Sequence, residues 1–186
     1  MEAELTFSKE IGNLMYASHG NPIKDCLQCG ICSGTCPAVE FMEHSPRALI
    51  GMIGADLKDE VLASNTYWSC ASCYHCTVRC PAGIDIADLM YALKRYSIWK
   101  GKHKDLIGPA FSEGFVKMIV RTGRSFEPIL APTYLPKFNA IDLIREAQTA
   151  STLILKGRMP LLPKKLKGLK NFQRMVKRII PIGEEE

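Results

Sequence analysis

Residues 26–37 read C-L-Q-C-G-I-C-S-G-T-C-P, and residues 70–81 read C-A-S-C-Y-H-C-T-V-R-C-P. Between them the two stretches hold all eight cysteines of the chain. Both follow C-x2-C-x2-C-x3-C-P, with Cys26, Cys29, Cys32 and Cys36 before Pro37, and Cys70, Cys73, Cys76 and Cys80 before Pro81. Three closely spaced thiolates let a short loop curl around one side of a compact metal group. The fourth must approach from elsewhere, and the proline behind it turns the chain away with a fixed φ and no amide hydrogen to satisfy.

This is the spacing of the bacterial two-cluster ferredoxins, in which the fourth cysteine of each run ligates the cluster held by the first three of the other. It predicts two [4Fe-4S] clusters, one on Cys26, Cys29, Cys32 and Cys80 and the other on Cys70, Cys73, Cys76 and Cys36. Crossing of this kind staples two distant parts of the chain together and holds the clusters close enough for rapid electron exchange. With no ligand missing from either run, both sites read as relays rather than as places where substrate meets an open iron.

Other uses of the cysteines stay open at this level. Zinc sites present separated pairs around a tetrahedral ion, which two three-plus-one runs match poorly. Disulfides would call for an oxidising compartment, and no secretory signal is recognisable. One site could also be a three-iron cluster or be ligated differently.

The 186 residues, 47% of them hydrophobic, contain no uninterrupted apolar run of membrane length, so the reading is of a soluble protein with no membrane span. The formal charge of +5 counts neutral thiols. Eight bound thiolates and two oxidised cluster cores bring the loaded protein close to neutrality, which removes the main argument for nucleic acid.

Outward from the cysteines, the chain divides into four segments. Residues 1–20 form an N-terminal helical extension, with Ser8 as its cap and Ile11, Leu14 and Met15 on one face. Gly20, Asn21 and Pro22 break it. Residues 21–100 form the cluster domain. After the first cysteine run, Ser45 and Pro46 start a helix whose Leu49, Met52 and Ile53 share a side, and a short helix spans 56–63. After the second run, Asp85 caps a helix striped with Ile86, Leu89, Met90, Leu93 and Ile98. No β alternation lies between the runs, so the expected class is mainly α: an α-helical ferredoxin domain with two cluster loops and helical N- and C-terminal extensions.

Residues 101–138 read as a packing or docking strap. A helix with Phe111, Phe115, Met118 and Ile119 on one face ends at Gly123, and Pro128, Pro132 and Pro136 then forbid a continuous helix. Residues 139–186 form a helical, basic C-terminal extension. Its first helix shows Ile141, Ile144, Ala147, Leu153 and Ile154 on one face. Its second sets Leu169, Phe172, Met175, Val176 and Ile179 against a basic face, a docking candidate for a partner protein.

No catalytic constellation accompanies the cysteines. His19, His44, His75 and His103 are scattered, and His75 reads as a surface residue rather than an iron ligand. Trp68 and Tyr74 are placed to shield the second cluster. There is no dinucleotide glycine fingerprint or P-loop, so flavin or nucleotide chemistry would reside on other subunits.

The paired runs, the helical spacing between them, the P-A-G-I-D-I-A-D-L-M-Y-A-L-K-R stretch after Cys80 and the basic C-terminal extension resemble the C subunit of soluble heterodisulfide reductase from methanogenic archaea. The resemblance implies an electron-relay subunit, itself non-catalytic, of an oxidoreductase complex in the cytoplasm. Electrons would pass through two [4Fe-4S] clusters from a flavin-containing A subunit to a B subunit that reduces the coenzyme M–coenzyme B heterodisulfide in methanogenesis. FAD and noncubane iron-sulfur clusters would lie only on those partners. A hydrogenase or formate dehydrogenase upstream, and flavin-based electron bifurcation at the A subunit, are further expectations of the resemblance. Two other readings compete: a relay for another anaerobic dehydrogenase or reductase, and a noncatalytic assembly module stabilised by its metals.

Overall fold

In the computed structural model the described residues are 6–16, 22–103, 107–126, 128, 130, 140–158, 163 and 165–179. They are mainly helical with no strand among them, as the sequence predicts. The chain separates into two compact units, residues 1–105 and 106–186.

The first unit is built from α1 (Phe7–Leu14), α2 (Ile31–Gly34), α3 (Pro46–Gly54), α4 (Lys58–Ala63), α5 (His75–Val78) and α6 (Ile86–Trp99), with 3-10 turns at Pro22–Asp25 and Val39–Phe41. Each cysteine run carries one short helix, α2 or α5, and is followed by a longer one. α3 follows the first run and α6 the second, so the unit is an approximate internal repeat. Both longer helices start as their sequences direct. Ser45 Oγ accepts from the Ala48 amide at 3.4 Å ahead of Pro46, and Asp85 Oδ1 accepts from the Asp88 amide at 3.0 Å.

The core forms where these helices meet. Leu49, Ile50 and Ile53 of α3, Val61 and Leu62 of α4, and Ile86, Leu89, Met90 and Leu93 of α6 are buried together. α1 belongs to the same core. Its Phe7, Ile11 and the following Met15 are buried there, and α1 packs on both α3 and α6. Burial of each such side chain is worth about 2 kcal/mol, so the first helix is a structural part of this unit and not a loose appendage.

Ser8 does not cap α1. The N-cap position is Thr6, without a side-chain cap, and Ser8 is buried inside the first turn. The Phe7 amide is met instead by Asp56 Oδ1 at 2.7 Å. A tertiary acceptor thus takes over what a local hydroxyl would have done. Asp56 can reach it because it stands before α4 with φ 62°, outside the helix expected to begin there. Gly20 and Asn21 lie outside the described residues.

In the second unit α7 (Ile107–Thr122) packs on α9 (Leu169–Ile179), and α8 (Ala140–Leu155) lies between them in sequence. Met118 of α7 is buried with Phe126 and Leu130. Phe111 and Phe115 are exposed and stack on each other at 6.1 Å, so only the Met118 and Ile119 part of the expected apolar face is used. Gly123 ends α7 at φ 73°. A Cβ there would stand 2.5 Å from Leu166 Cβ, and the Leu166 amide bonds Thr122 O at 3.0 Å. Only glycine satisfies both the left-handed backbone and that approach. Of the expected proline strap, residues 104–106, 127, 129 and 131–138 lie outside the described residues. Most apolar residues of α8 are exposed, Ile141 at 74% and Ile144 at 69%, while Leu153 is half-buried.

Candidate functional site

The two cysteine runs fold alike, residue for residue. Gln28 and Ser72, each before the second cysteine of its run, have φ 54° and 53°, and Gly30 and Tyr74, each after it, have φ 83° and 61°. This alternation of left-handed residues curls each loop so that its thiols face inward. It also explains Gly30, whereas Tyr74 adopts the same backbone at a cost of about 1 kcal/mol. One turn of helix then carries the third cysteine, Cys32 in α2 and Cys76 in α5.

The hydroxyl after each third cysteine anchors the loop to the following long helix. Ser33 Oγ accepts from the Arg47 amide at 3.0 Å. Thr77 Oγ1 accepts from the Ala87 amide at 3.1 Å and donates to Asp85 Oδ1 at 3.1 Å. These bonds meet amides of the first turn that have no partner within the helix.

Two cavities result. The first is lined by Cys26, Cys29, Cys32 and Cys80, with Arg47, Ile50, Ile84 and Ile86 among its walls. The second is lined by Cys70, Cys73, Cys76 and Cys36, with Met42, Tyr74, Ala87 and Met90 among its walls. Each cavity gathers three thiols from one run and the fourth from the other. Cys29 and Cys73 are the most exposed member of each set.

The electrostatics follow that grouping. Burial pushes the Cys32 thiol up, opposed by hydrogen bonds with Ser33 and reinforced by Cys26 and Cys29. Burial likewise raises Cys36, and the charges that add to it are those of Cys70 and Cys73, from the other run. Cys76 is pushed up to about 11, by burial first and by Cys70, against hydrogen bonds with Thr77. Thiols in such a setting hold their protons until a metal displaces them.

The donor set fits an iron-sulfur cubane. Four thiols line each pocket, and N–H groups are aimed at sulfur: the Ile84 amide reaches Cys80 Sγ at 3.4 Å, and Gln28 Nε2 reaches Cys26 Sγ at 3.4 Å. Among the described residues, no three cysteines, histidines or carboxylates stand as the ligands of one ion. Both cavities have predominantly apolar walls, which limit water access, a factor that together with hydrogen bonds to sulfur sets a cluster's potential.

Of the other residues singled out in the sequence, Tyr74 lines the second cavity, with its ring partly exposed. Trp68 packs against the core beside Tyr67 and is absent from the cavity wall. His75 is exposed and His44 half-buried, and neither lines a cavity. His19 lies outside the described residues. Arg47 is the functional candidate that sequence reasoning passed over. Its signal is a position: it occupies in α3 the place that Ala87 occupies in α6.

Residues 22–84 match the 4Fe-4S dicluster domain family. The chain is 35% identical over 82 residues to the C subunit of the H(2):CoB-CoM heterodisulfide,ferredoxin reductase of Methanothermobacter marburgensis, covering 44% of each chain. It is 35% identical over 79 residues to the iron-sulfur C subunit of the CoB--CoM heterodisulfide reductase of Methanopyrus kandleri, covering 42% of this chain and 41% of the relative. It is 33% identical over 94 residues to the C subunit of the Ferredoxin:CoB-CoM heterodisulfide reductase of Methanosarcina mazei, covering 50% of this chain and 57% of the relative. The match thus spans about half the length of these curated relatives. No helix among the described residues is long and apolar enough to cross a membrane.

Proposed function

We propose that this chain, which carries a 4Fe-4S dicluster domain and is homologous to the C subunits of heterodisulfide reductases, is the electron-relay subunit of a heterodisulfide reductase. Cys26, Cys29, Cys32 and Cys80 hold one [4Fe-4S] cluster, and Cys70, Cys73, Cys76 and Cys36 hold the other. Each cluster, when bound, takes up and releases one electron without a change in ligands. The chain's own residues supply the rest. The thiols fix the clusters, the apolar walls formed by Ile50, Ile84, Ile86, Met42 and Met90 limit water access, and α2 against α5 keeps the two sites adjacent.

In the complex, electrons pass from a flavin-containing A subunit through this chain to a B subunit that reduces the coenzyme M–coenzyme B heterodisulfide. The complex is cytoplasmic, with a hydrogenase or formate dehydrogenase upstream and bifurcation at the A-subunit flavin. FAD and noncubane clusters lie on the partners. The observation that carries the relay reading is the three-plus-one composition of both cavities, which leaves no iron open to substrate.

Anaerobic affinity isolation, followed by subunit identification, iron and sulfide analysis and electron paramagnetic resonance, tests this reading. About eight irons per chain, two reducible clusters and co-purifying A and B subunits are expected. An iron-free chain sinks it. Co-purification of a different catalytic subunit would favour the second reading, a relay for another anaerobic dehydrogenase or reductase.

A further inference from the structure

The internal repeat allows the two cavities to be compared position by position, and the charges around them differ. α3 and α6 present equivalent residues to the two sites: Ile50 and Met90 line the first and second cavity respectively, as do Arg47 and Ala87. The equivalence of Arg47 and Ala87 is fixed independently by the hydroxyls of Ser33 and Thr77, which accept from their amides. One site therefore has a guanidinium in its wall where the other has a methyl group. The Arg47 side chain follows the cysteine loop closely, since a Cβ on Gly30 would stand 3.5 Å from its Cδ and 3.8 Å from its Nε. Tyr74 occupies the corresponding loop position at the second site.

The helix caps differ in the same sense. Ser45, neutral, caps α3, whereas Asp85 caps α6. The Asp85 carboxylate receives the Thr77 hydroxyl at 3.1 Å, and Thr77 directly follows Cys76 in the chain. A negative charge thus stands against the residue next to a ligand of the second site. Lys94 partly offsets it, with Nζ 3.4 Å from Cys70 O. The second site accordingly has a carboxylate and an ammonium that oppose each other, while the first has Arg47 in its wall, with the exposed Asp25 beside Cys26. Reduction adds one negative charge to a cluster, and a nearby cation stabilises that charge.

We propose that Arg47 is a tuning residue that holds the site of Cys26, Cys29, Cys32 and Cys80 at the higher reduction potential. The first electron taken up therefore rests there rather than at the site of Cys36, Cys70, Cys73 and Cys76. The inference rests on the two-cluster reading above. The change is the addition of one electron, supplied in the test by dithionite, with no bond made or broken and no proton moved. It also gives the relay a direction: the second site is the entry side and the first the side where electrons collect.

The test is a redox titration of the full chain, purified anaerobically with its clusters and followed by electron paramagnetic resonance. Arg47→Gln lowers the midpoint of the first reduction step and leaves the second in place. The expected loss is about tenfold in the preference for the first site, which for a one-electron couple is about 59 mV. Arg47→Lys keeps the charge and restores most of the preference. Asp85→Asn, which retains a capping oxygen, raises the second midpoint and narrows the gap from the other side. An unmoved first midpoint in Arg47→Gln at full iron content overturns the proposal while leaving the two-cluster reading intact. A wild-type chain that does not bind about eight irons overturns both. If Arg47→Gln fails to load clusters, an Asp85→Asn chain whose gap is unchanged overturns the electrostatic asymmetry by itself.

Discussion

Thr77 Oγ1 accepts the Ala87 amide at 3.1 Å, and the bond ties the second cysteine run to the first turn of α6. Ser33 does the same for Arg47 in the other half at 3.0 Å. The two bonds differ in worth, because Ala87 is buried and Arg47 is exposed. Thr77→Val keeps the shape but strands a buried amide and frees Asp85 from its hydroxyl donor. It should lower unfolding stability by about 1–3 kcal/mol, while Ser33→Ala, whose stranded amide can turn to water, should cost less. Thermal unfolding of the two variants under anaerobic conditions measures the difference. Equal losses would show that the hydroxyls act through packing alone.

Glu10 Oε2 binds Lys58 Nζ at 2.9 Å and the Tyr96 hydroxyl at 2.7 Å, which locks α1 onto α4 and α6. Burial alone would raise the Glu10 carboxyl, but the hydrogen bonds from Lys58 and Tyr96 and the Lys58 charge bring it below its ordinary value of 4.5. The hydrogen bond with Tyr96 leads the causes that place Lys58 above 10.5, against burial. A depressed acid contributes stability above its unfolded pKa that is lost as pH falls through the folded one. A raised base contributes stability below its unfolded pKa that is lost as pH rises through the folded one. Stability should therefore fall at both ends, below about pH 4.5 and above about pH 10.5. Glu10→Gln should flatten the acid limb, as read by denaturant unfolding across pH.

Gly123→Ala should destabilise the second unit by about 2 kcal/mol or more, from the left-handed backbone and the meeting with Leu166. Gly157, at φ 64° with nothing close to a Cβ, provides the control. Its alanine variant should cost only the backbone term, about 1 kcal/mol. Hydrogen exchange over α7 and α9 compares the two, and an identical response would remove the steric part of the argument.

Cys36→Ser should damage the cluster of Cys70, Cys73 and Cys76, and Cys80→Ser that of Cys26, Cys29 and Cys32. The expected change in each variant is loss or conversion of one cluster signal with the other retained. Damage confined to the cluster of the same run would refute the crossed arrangement, although the cavities group the thiols that way.

The cysteine runs and the helical scaffold were legible in the sequence because both are written locally. Ligand spacing is a property of a few residues, and Ser45-Pro46 and Asp85 announce the starts of α3 and α6 without help from the rest of the chain. Local rules failed at α1. Ser8 has the chemistry of a cap, yet Phe7 is drawn into the core and its amide finds Asp56, a residue whose position no nearby sequence reveals. Phe111 and Phe115 failed for a related reason: periodicity gives the face of a helix but not how far along it the neighbours extend.

What the sequence determined alone is the kind of chemistry, since C-x2-C-x2-C-x3-C-P, repeated, specifies iron-sulfur ligation through residues a few positions apart. What only the tertiary structure decided is which unlike groups stand at like places. Arg47 and Ala87 share no visible relation in the chain. They become counterparts because two hydroxyls anchor their helices in the same way and bring one of them to each cavity. Local spacing can specify a ligand set, but the electrostatic environment of that set is a sum over space, and folding alone fixes its terms.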